Sequence, residues 1–226
     1  MDAATLAAAL DQTLLKPSIG FAAAAKWIDG SADHGFATLC ISPFLVPVAA
    51  QRLAGTRTGV CTVCGFPLGY ALTESKAEEA RHLVELGAVE VDVVVNIAAL
   101  LEGEDRYVRD DLAAVAESVQ KASNGNALLK VILETGYLEP DDIVRGCKLA
   151  VEAGAAFVKT STGFGPRGAS IADVTLMRET VGPDIGVKAA GGIRDLETAL
   201  AMIEAGANRI GTSSGLEILD AFAALS

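Results

Sequence analysis

Two lysines in short apolar segments are the residues of this sequence best suited to chemistry. Lys159 ends the segment 156–159, Lys188 lies in the segment 185–189, and small, glycine-bearing residues follow both. A short apolar segment predicts a buried strand, where a charged and unpaired ammonium group has a large desolvation cost. Two cations close together in a dry site lower each other's pKa, and a neutral amine is the nucleophile that forms a Schiff base with a carbonyl. The two lysines therefore predict covalent carbonyl chemistry.

Carboxylates and a third lysine accompany two further apolar segments. Positions 89, 91, 93 and 95 are all valine, and strands alternate faces with period two, so Glu90 and Asp92 are predicted to share the inward face. The same alternation directs Lys130 and Glu134 inward from the next such segment. A structural ion-pair network is the alternative interpretation, but clustered charges are more typical of acid–base catalysis.

These residues belong to a pattern that repeats eight times, in which a short apolar segment is followed by a helical pattern. Clear helical periodicity covers Glu74–Leu86, Val108–Val119 and Asp141–Glu152. Alternation of strand and helix requires crossover connections and therefore a parallel sheet. The predicted strands are 11–15, 36–41, 59–64, 89–95, 127–133, 156–159, 185–189 and 209–211.

The repeat predicts an α/β fold, a closed (β/α)8 TIM barrel formed by a single domain over residues 1–226. An open doubly wound sheet is the alternative, which the lack of a G-x-G-x-x-G motif after the first strand disfavours. Barrels often bind phosphate at the loops after the last strands, through backbone N–H groups and a helix N-terminus. Small residues suited to that task in this sequence are Thr162, Gly163, Gly191, Gly192, Ser213 and Ser214.

Composition and charge exclude several classes of function. The net charge of −11 argues against a general nucleic-acid binder and means that a phosphate needs a local site. No apolar segment reaches membrane-spanning length and no signal peptide is found, so a cytoplasmic protein is expected. Cys61 and Cys64 form a C-x-x-C pair inside a strand-like segment with no second pair, which favours buried free thiols over a redox or zinc site.

Five motifs of this sequence resemble the deoxyribose-phosphate aldolase family, in the family's order from about residue 10 to residue 215. They are LDQTLLKP at 10–17, VDVVVN at 91–96, KVILET at 130–135, FVKTSTGF at 157–164 and VKAAGGIR at 187–194. The resemblance implies a class I aldolase on a (β/α)8 barrel, with no metal and no cofactor. Such an enzyme reversibly cleaves 2-deoxy-D-ribose 5-phosphate to acetaldehyde and D-glyceraldehyde 3-phosphate.

The resemblance also implies roles for individual residues. Lys159 would be the Schiff-base lysine, kept partly neutral by Lys188, and Asp92 and Lys188 would be the proton donor and acceptor pair. Asp11 and Lys130 would support their charge state. The residues expected to contact the substrate are Thr13 and Cys40, with Thr162, Gly163, Gly191, Gly192, Ser213 and Ser214 at the phosphate.

Two positions depart from the family pattern. Gln12 stands where many bacterial members have histidine, and CISP at 40–43 is a variant of the usual sequence. Other functions remain open: a Schiff-base aldolase for another phosphosugar or keto acid, a phosphosugar isomerase, or a non-catalytic phosphate-binding regulator. No set of histidine, cysteine and carboxylate residues has metal-ligand spacing. The expected partners are phosphosugar and aldehyde substrates and copies of the same chain, as a dimer or tetramer, with no nucleic acid and no membrane.

Overall fold

Eight parallel strands pair in chain order and close into a barrel in the computed structural model, which describes residues 1–225. The last strand pairs with the first, so the closed barrel is confirmed and the open doubly wound sheet is excluded. The strands are β1 (Leu10–Leu14), β2 (Thr38–Ile41), β3 (Gly59–Cys64), β4 (Glu90–Val94), β5 (Leu128–Ile132), β6 (Phe157–Lys159), β7 (Gly186–Ala190) and β8 (Arg209–Thr212). Every predicted strand is present, with ends that differ by at most two residues.

Helices surround the barrel and connect successive strands. They are α1 (Ala3–Ala8), α2 (Phe21–Ser31), α3 (Val46–Arg52), α4 (Thr73–Glu85), α5 (Ile97–Leu101), α6 (Asp105–Ser123), α7 (Pro140–Glu152), α8 (Ile171–Val181), α9 (Leu196–Glu204) and α10 (Gly215–Ala223). Local sequence explains their ends. Pro140 takes the first position of α7, where Glu139 and Asp142 form a capping box. Gly154, just after α7, has a φ of 92°, a conformation that glycine adopts without strain.

The alternation of β4 explains how charge enters the barrel. Val91, Val93 and Val95 are fully buried in the hydrophobic layer between strands and helices. Val89 departs from this prediction, since it precedes the strand and is 46% exposed. Glu90 and Asp92 point the other way, into the interior, as the alternation predicts.

All four cysteines are buried free thiols, as predicted. Cys61 lies in the interior against Cys40, and Cys64 packs in the layer between strands and helices. The C-x-x-C residues therefore face opposite sides of β3 and form no dithiol pair. Within residues 1–225, no helix is long and apolar enough to cross a membrane.

Candidate active site

The interior of the barrel holds a network of charged side chains from six strands, which we call the charge network. Each member is buried or nearly so, and strand register brings them to adjacent levels: Asp92 lies beside Lys130, and Lys159 lies beside Lys188. The members are Asp11 on β1, Glu90 and Asp92 on β4, Lys130 on β5, Lys159 on β6, Lys188 on β7 and Arg209 on β8. The structure thus brings together all five predicted catalytic residues.

Asp92 is the centre of the charge network. Its Oδ2 atom accepts hydrogen bonds from Lys159 Nζ and Lys188 Nζ, each at 2.7 Å. Its Oδ1 atom accepts one from Lys130 Nζ at 2.8 Å. One carboxylate therefore accepts hydrogen bonds from three lysines, and the sequence does not show that these three residues meet at Asp92.

A second layer of ion pairs lies next to Asp92. Lys188 Nζ is 2.6 Å from Asp11 Oδ2, and Lys130 Nζ is 2.5 Å from Glu90 Oε2. Arg209 Nη1 contacts both carboxylates of this layer, at 2.6 Å from Asp11 Oδ1 and 3.0 Å from Glu90 Oε2. The sequence alone assigned Arg209 no role. Strand alternation puts its side chain on the same face of β8 as Gly211, whose loop was expected to face the substrate, and this was the available signal.

The contacts set the charge state of the buried groups. Burial opposes ionisation of Asp92, but Lys130, Lys159 and Lys188 outweigh it and hold the pKa of Asp92 well below its usual value. Burial likewise opposes the charge of Lys188, yet Asp11 and Asp92 outweigh it and raise the pKa of Lys188 well above its usual value. The carboxylates therefore outweigh the lowering that a neighbouring cation was predicted to produce, and the pKa of Lys188 is raised.

A cavity of about 750 Å³ opens at the carboxyl ends of β1, β6, β7 and β8. Among the described residues, Lys159 is the one member of the charge network that lines it. Asp11, Asp92, Lys130 and Lys188 are not among its lining residues. Seven other predicted site residues line the cavity: Thr13, Thr162, Gly163, Gly191, Gly192, Ser213 and Ser214.

Cys40, which is expected to contact substrate, does not line this cavity, and its contact with substrate stays a prediction. It is fully buried and packs with Cys61, whose Sγ donates to Asp92 Oδ1 at 3.3 Å. Ligand atoms of two sets that have no metal-ligand spacing in the sequence lie within 4.8 Å of one another: Cys40, Cys61 and Asp92, and Asp11, Cys61 and Glu90. The neighbouring ammonium groups already occupy the carboxylates, and their positive charge opposes a metal cation at this place.

The loops around the cavity offer backbone donors. The N–H groups of Gly191, Gly192 and Ser213 donate to no other described residue. The Ser214 N–H was also predicted to be a phosphate donor, but it already donates to Thr212 Oγ1 at 2.9 Å. Gly191 and Gly192 have φ values of 90° and 82°, so the β7–α9 turn favours glycine at both positions.

Glu134 lies outside the charge network, although the strand alternation placed it inward beside Lys130. β5 ends at Ile132, and Glu134 has a φ of 57°, so the alternation no longer applies to it. Its carboxylate instead accepts the Thr162 N–H at 3.3 Å and contacts the Thr162 hydroxyl. Glu134 thereby holds the loop that follows Lys159.

Several cavity residues were missed by sequence reasoning. Lys16 and Arg194 line the cavity, are exposed, and form no ion pair with any residue in the described range. Lys16 directly follows the predicted strand 11–15, and Arg194 lies in the loop after the predicted strand 185–189, which was the available signal. Gln12, noted as a departure from the family pattern, accepts the Gly215 N–H at 2.8 Å and so holds the start of α10. It is not among the residues lining the cavity.

Comparison with known proteins shows the family to which this chain belongs. Residues 5–221 match the DeoC/LacD family of aldolases. The chain belongs to the DeoC/LacD aldolase family. A deoxyribose-phosphate aldolase of Brevibacillus brevis is 52% identical over 210 residues, which are 93% of each chain. One of Bacillus subtilis is 50% identical over 215 residues, 95% of each chain. The tetrameric deoxyribose phosphate aldolase of Aeropyrum pernix superposes with a TM-score of 0.89 at 31% identity, covering 100% of this chain and 94% of that one.

As a member of the DeoC/LacD aldolase family, the chain is an enzyme, a lyase that acts on carbon–carbon bonds. The shared fold with the Aeropyrum pernix enzyme agrees with the closed barrel. An aldolase needs a means of stabilising the carbanion left by the broken bond. Lys159 lines the cavity of this site, and a lysine can stabilise that carbanion by forming a Schiff base with the substrate.

Proposed function

We propose that this chain reversibly cleaves 2-deoxy-D-ribose 5-phosphate to acetaldehyde and D-glyceraldehyde 3-phosphate through a Schiff base on Lys159. One observation carries the proposal: Lys159 is the residue of the charge network that reaches the cavity. Two relatives that are about 50% identical to this chain over nearly their whole length are named for that activity. The test is release of acetaldehyde from 2-deoxyribose 5-phosphate, with fructose 1,6-bisphosphate as a substrate that should remain uncleaved.

The contacts also favour Lys159 over the other two lysines as the nucleophile. Lys130 lies within 3 Å of two carboxylates, those of Asp92 and Glu90. Lys188 lies within 3 Å of Asp11 and Asp92. Lys159 contacts Asp92 alone and shares that oxygen with Lys188, so it has the fewest carboxylate partners of the three lysines.

The first step is attack on the aldehyde of the open-chain sugar. The lone pair of neutral Lys159 adds to C1, and the carbinolamine loses water to give an iminium ion. The Asp92 carboxylate, 2.7 Å from Lys159 Nζ in the free protein, lies where it offsets that positive charge. The iminium then serves as the electron sink for the next step.

The second step breaks the C2–C3 bond. The C3 hydroxyl loses its proton, C3 becomes the carbonyl of glyceraldehyde 3-phosphate, and the bonding electrons form an enamine between C2 and C1. We assign proton transfer to Asp92 and Lys188, whose charged groups lie next to Lys159, with water able to bridge to the substrate. The enamine carbon then takes a proton, and hydrolysis of the iminium releases acetaldehyde and restores Lys159. Asp11 and Lys130 hold Asp92 and Lys188 in place.

We assign the phosphate to the part of the cavity lined by the loops after β7 and β8, where short-range donors would overcome the overall charge of −11. The free N–H groups of Gly191, Gly192 and Ser213 and the Ser214 hydroxyl lie at the start of α10 and the β7–α9 turn. A helix N-terminus and unpaired backbone donors favour an anion. Thr13, Thr162 and Gly163 complete the wall on the side of β1 and β6.

Replacement of Ser214 by aspartate tests this placement. Ser214 is the N-cap of α10 and makes no side-chain cap hydrogen bond. Aspartate is an equally good N-cap, so Ser214→Asp should fold. Its carboxylate should repel the phosphate and lower kcat/KM for 2-deoxyribose 5-phosphate about 10- to 100-fold. The same constant for unphosphorylated 2-deoxyribose should change little, because the lysine chemistry is the same.

The matched control for this prediction is Ser214→Asn, which has the same size and no charge. It should keep the ratio of the two kcat/KM values near that of the unmodified enzyme. An equal fall for both sugars in Ser214→Asp would show that the phosphate binds elsewhere.

We also propose that the chain assembles with copies of itself as a dimer or tetramer. Large apolar side chains are exposed near the carboxyl ends of β1, β2 and β3: Phe21, Phe44, Leu68, Tyr70 and Leu72. Exposed apolar patches often mark contacts between proteins. Light scattering should give a mass of two or four times 23.2 kDa. A mass of one chain at micromolar concentration would contradict the proposal.

A further inference from the structure

The charge network does not balance when all of its members are ionised. Four side chains carry positive charge, Lys130, Lys159, Lys188 and Arg209, and three carry negative charge, Asp11, Glu90 and Asp92. Arginine stays protonated in proteins, so the charge of Arg209 is fixed. The network is neutral only when one lysine has lost its proton. Lys159 has the fewest carboxylate contacts of the three lysines and is the one that lines the cavity.

We propose that Arg209 is a positioning residue for the aldol reaction, whose fixed charge gives the network one excess positive charge and so favours the neutral state at Lys159. This inference rests on the proposed Schiff-base function. Arg209 acts through its contacts with Asp11 and Glu90, since it neither touches Lys159 nor lines the cavity. Its side chain is 13% exposed, so solvent and salt screen its charge only weakly.

Two stages of the reaction need a neutral nitrogen at position 159. The free amine attacks the sugar, and the enamine is the intermediate that remains after the carbon–carbon bond breaks. The ammonium and the iminium are the charged forms of the same atom. An excess of one positive charge therefore favours the nucleophile over the ammonium and the enamine over the iminium, which aids both attack and cleavage.

Side chains from every strand face this site, and some of them carry groups that could titrate besides Lys159. Besides the charged residues, the thiols Cys40 and Cys61 lie in the interior, from β2 and β3. Burial raises the pKa of Cys61 well above its usual value, so that thiol stays neutral. A hydrogen bond with Cys61 lowers the pKa of Cys40, so its ionisation must be removed from the measurement. Phe157, whose ring centroid is 5.4 Å from Arg209, adds no titrating group.

The experiment changes the net charge in both directions. In a Cys40→Ser background, Arg209→Met removes a positive charge, Glu90→Gln removes a negative charge, and the double variant restores the excess of one. The measurement is kcat/KM as a function of pH with unphosphorylated 2-deoxyribose, which has no group that ionises near neutral pH. The rising limb of this profile reports loss of the proton that blocks attack.

The proposal predicts opposite shifts. Arg209→Met should move the limb to higher pH by on the order of one unit, and Glu90→Gln should move it to lower pH by a similar amount. The double variant should return near the background. Equal limbs in all four proteins, or shifts of the same sign in both single variants, would overturn the proposal and leave a structural role for Arg209.

The same set of proteins distinguishes a folding defect in one variant from a failure of the proposed function. If Arg209→Met does not fold, Glu90→Gln still has to move the limb to lower pH, and an unmoved limb overturns the proposal. If the unmodified enzyme shows no activity and no borohydride-trapped adduct at Lys159, the Schiff-base function itself fails, and this inference fails with it.

Discussion

Lys159→Met is expected to lower retro-aldol activity by about 10⁴-fold or more while the protein remains folded. Methionine keeps the length of the side chain and removes the amine, so no Schiff base can form. Asp92 keeps Lys130 and Lys188 as partners at 2.8 and 2.7 Å, and no buried carboxylate is left alone. Acetaldehyde release from 2-deoxyribose 5-phosphate measures the activity, and thermal unfolding checks the fold.

Lys16→Met is the matched control for this variant. Lys16 is the other lysine among the described residues that line the cavity, but it is exposed and forms no ion pair with any residue in 1–225. It should keep full activity toward unphosphorylated 2-deoxyribose. If Lys159→Met retained more than a few per cent of the activity, another group would be the nucleophile.

Asp92→Asn is expected to separate Schiff-base formation from bond cleavage. The change removes the carboxylate that three lysines share, and with it the main proton acceptor next to Lys159. Cleavage of 2-deoxyribose 5-phosphate should fall about 10²- to 10⁴-fold. Trapping with acetaldehyde and borohydride near pH 7 should remain at least as fast as in the unmodified enzyme, because Lys159 loses the carboxylate that stabilises its charged form.

The stability effect of Asp92→Asn needs its own control. Loss of one partner of a buried ion pair destabilises a protein by about 3–5 kcal/mol. Asp111→Asn breaks a second buried pair, Lys76–Asp111 at 2.7 Å, which joins α4 to α6 away from the cavity. It should lower the unfolding temperature to a similar extent and leave kcat unchanged below that temperature. Parallel losses of trapping and cleavage in Asp92→Asn would show that Asp92 acts only on the fold.

Periodicity was sufficient to predict the barrel and the inward direction of its charged residues. Alternation in β4 placed Asp92 correctly because the strand is regular from Glu90 to Val94. The same rule failed for Glu134, where the chain leaves the strand with a left-handed residue. A period describes a regular element and carries no information beyond its end.

The balance of charge could not be read from the sequence, because it depends on which residues meet across the barrel. Lys159 and Lys188 are 29 positions apart in the chain, yet both donate to one oxygen of Asp92. The sequence placed Asp92 in the same interior, but it did not show that both lysines contact the same oxygen of that carboxylate. The role of Arg209 was missed for the same reason, since its partners come from β1 and β4.

Trapping of the covalent intermediate identifies the nucleophile of this aldolase. The enzyme is incubated with acetaldehyde and borohydride, digested, and the modified residue is located by mass spectrometry. We expect a two-carbon adduct on Lys159 alone among the lysines of the barrel, lost in Lys159→Met and retained in Lys16→Met. An adduct on Lys130, Lys188 or Lys16 with Lys159 unmodified, or no adduct in an enzyme that still releases acetaldehyde from 2-deoxyribose 5-phosphate, would contradict it.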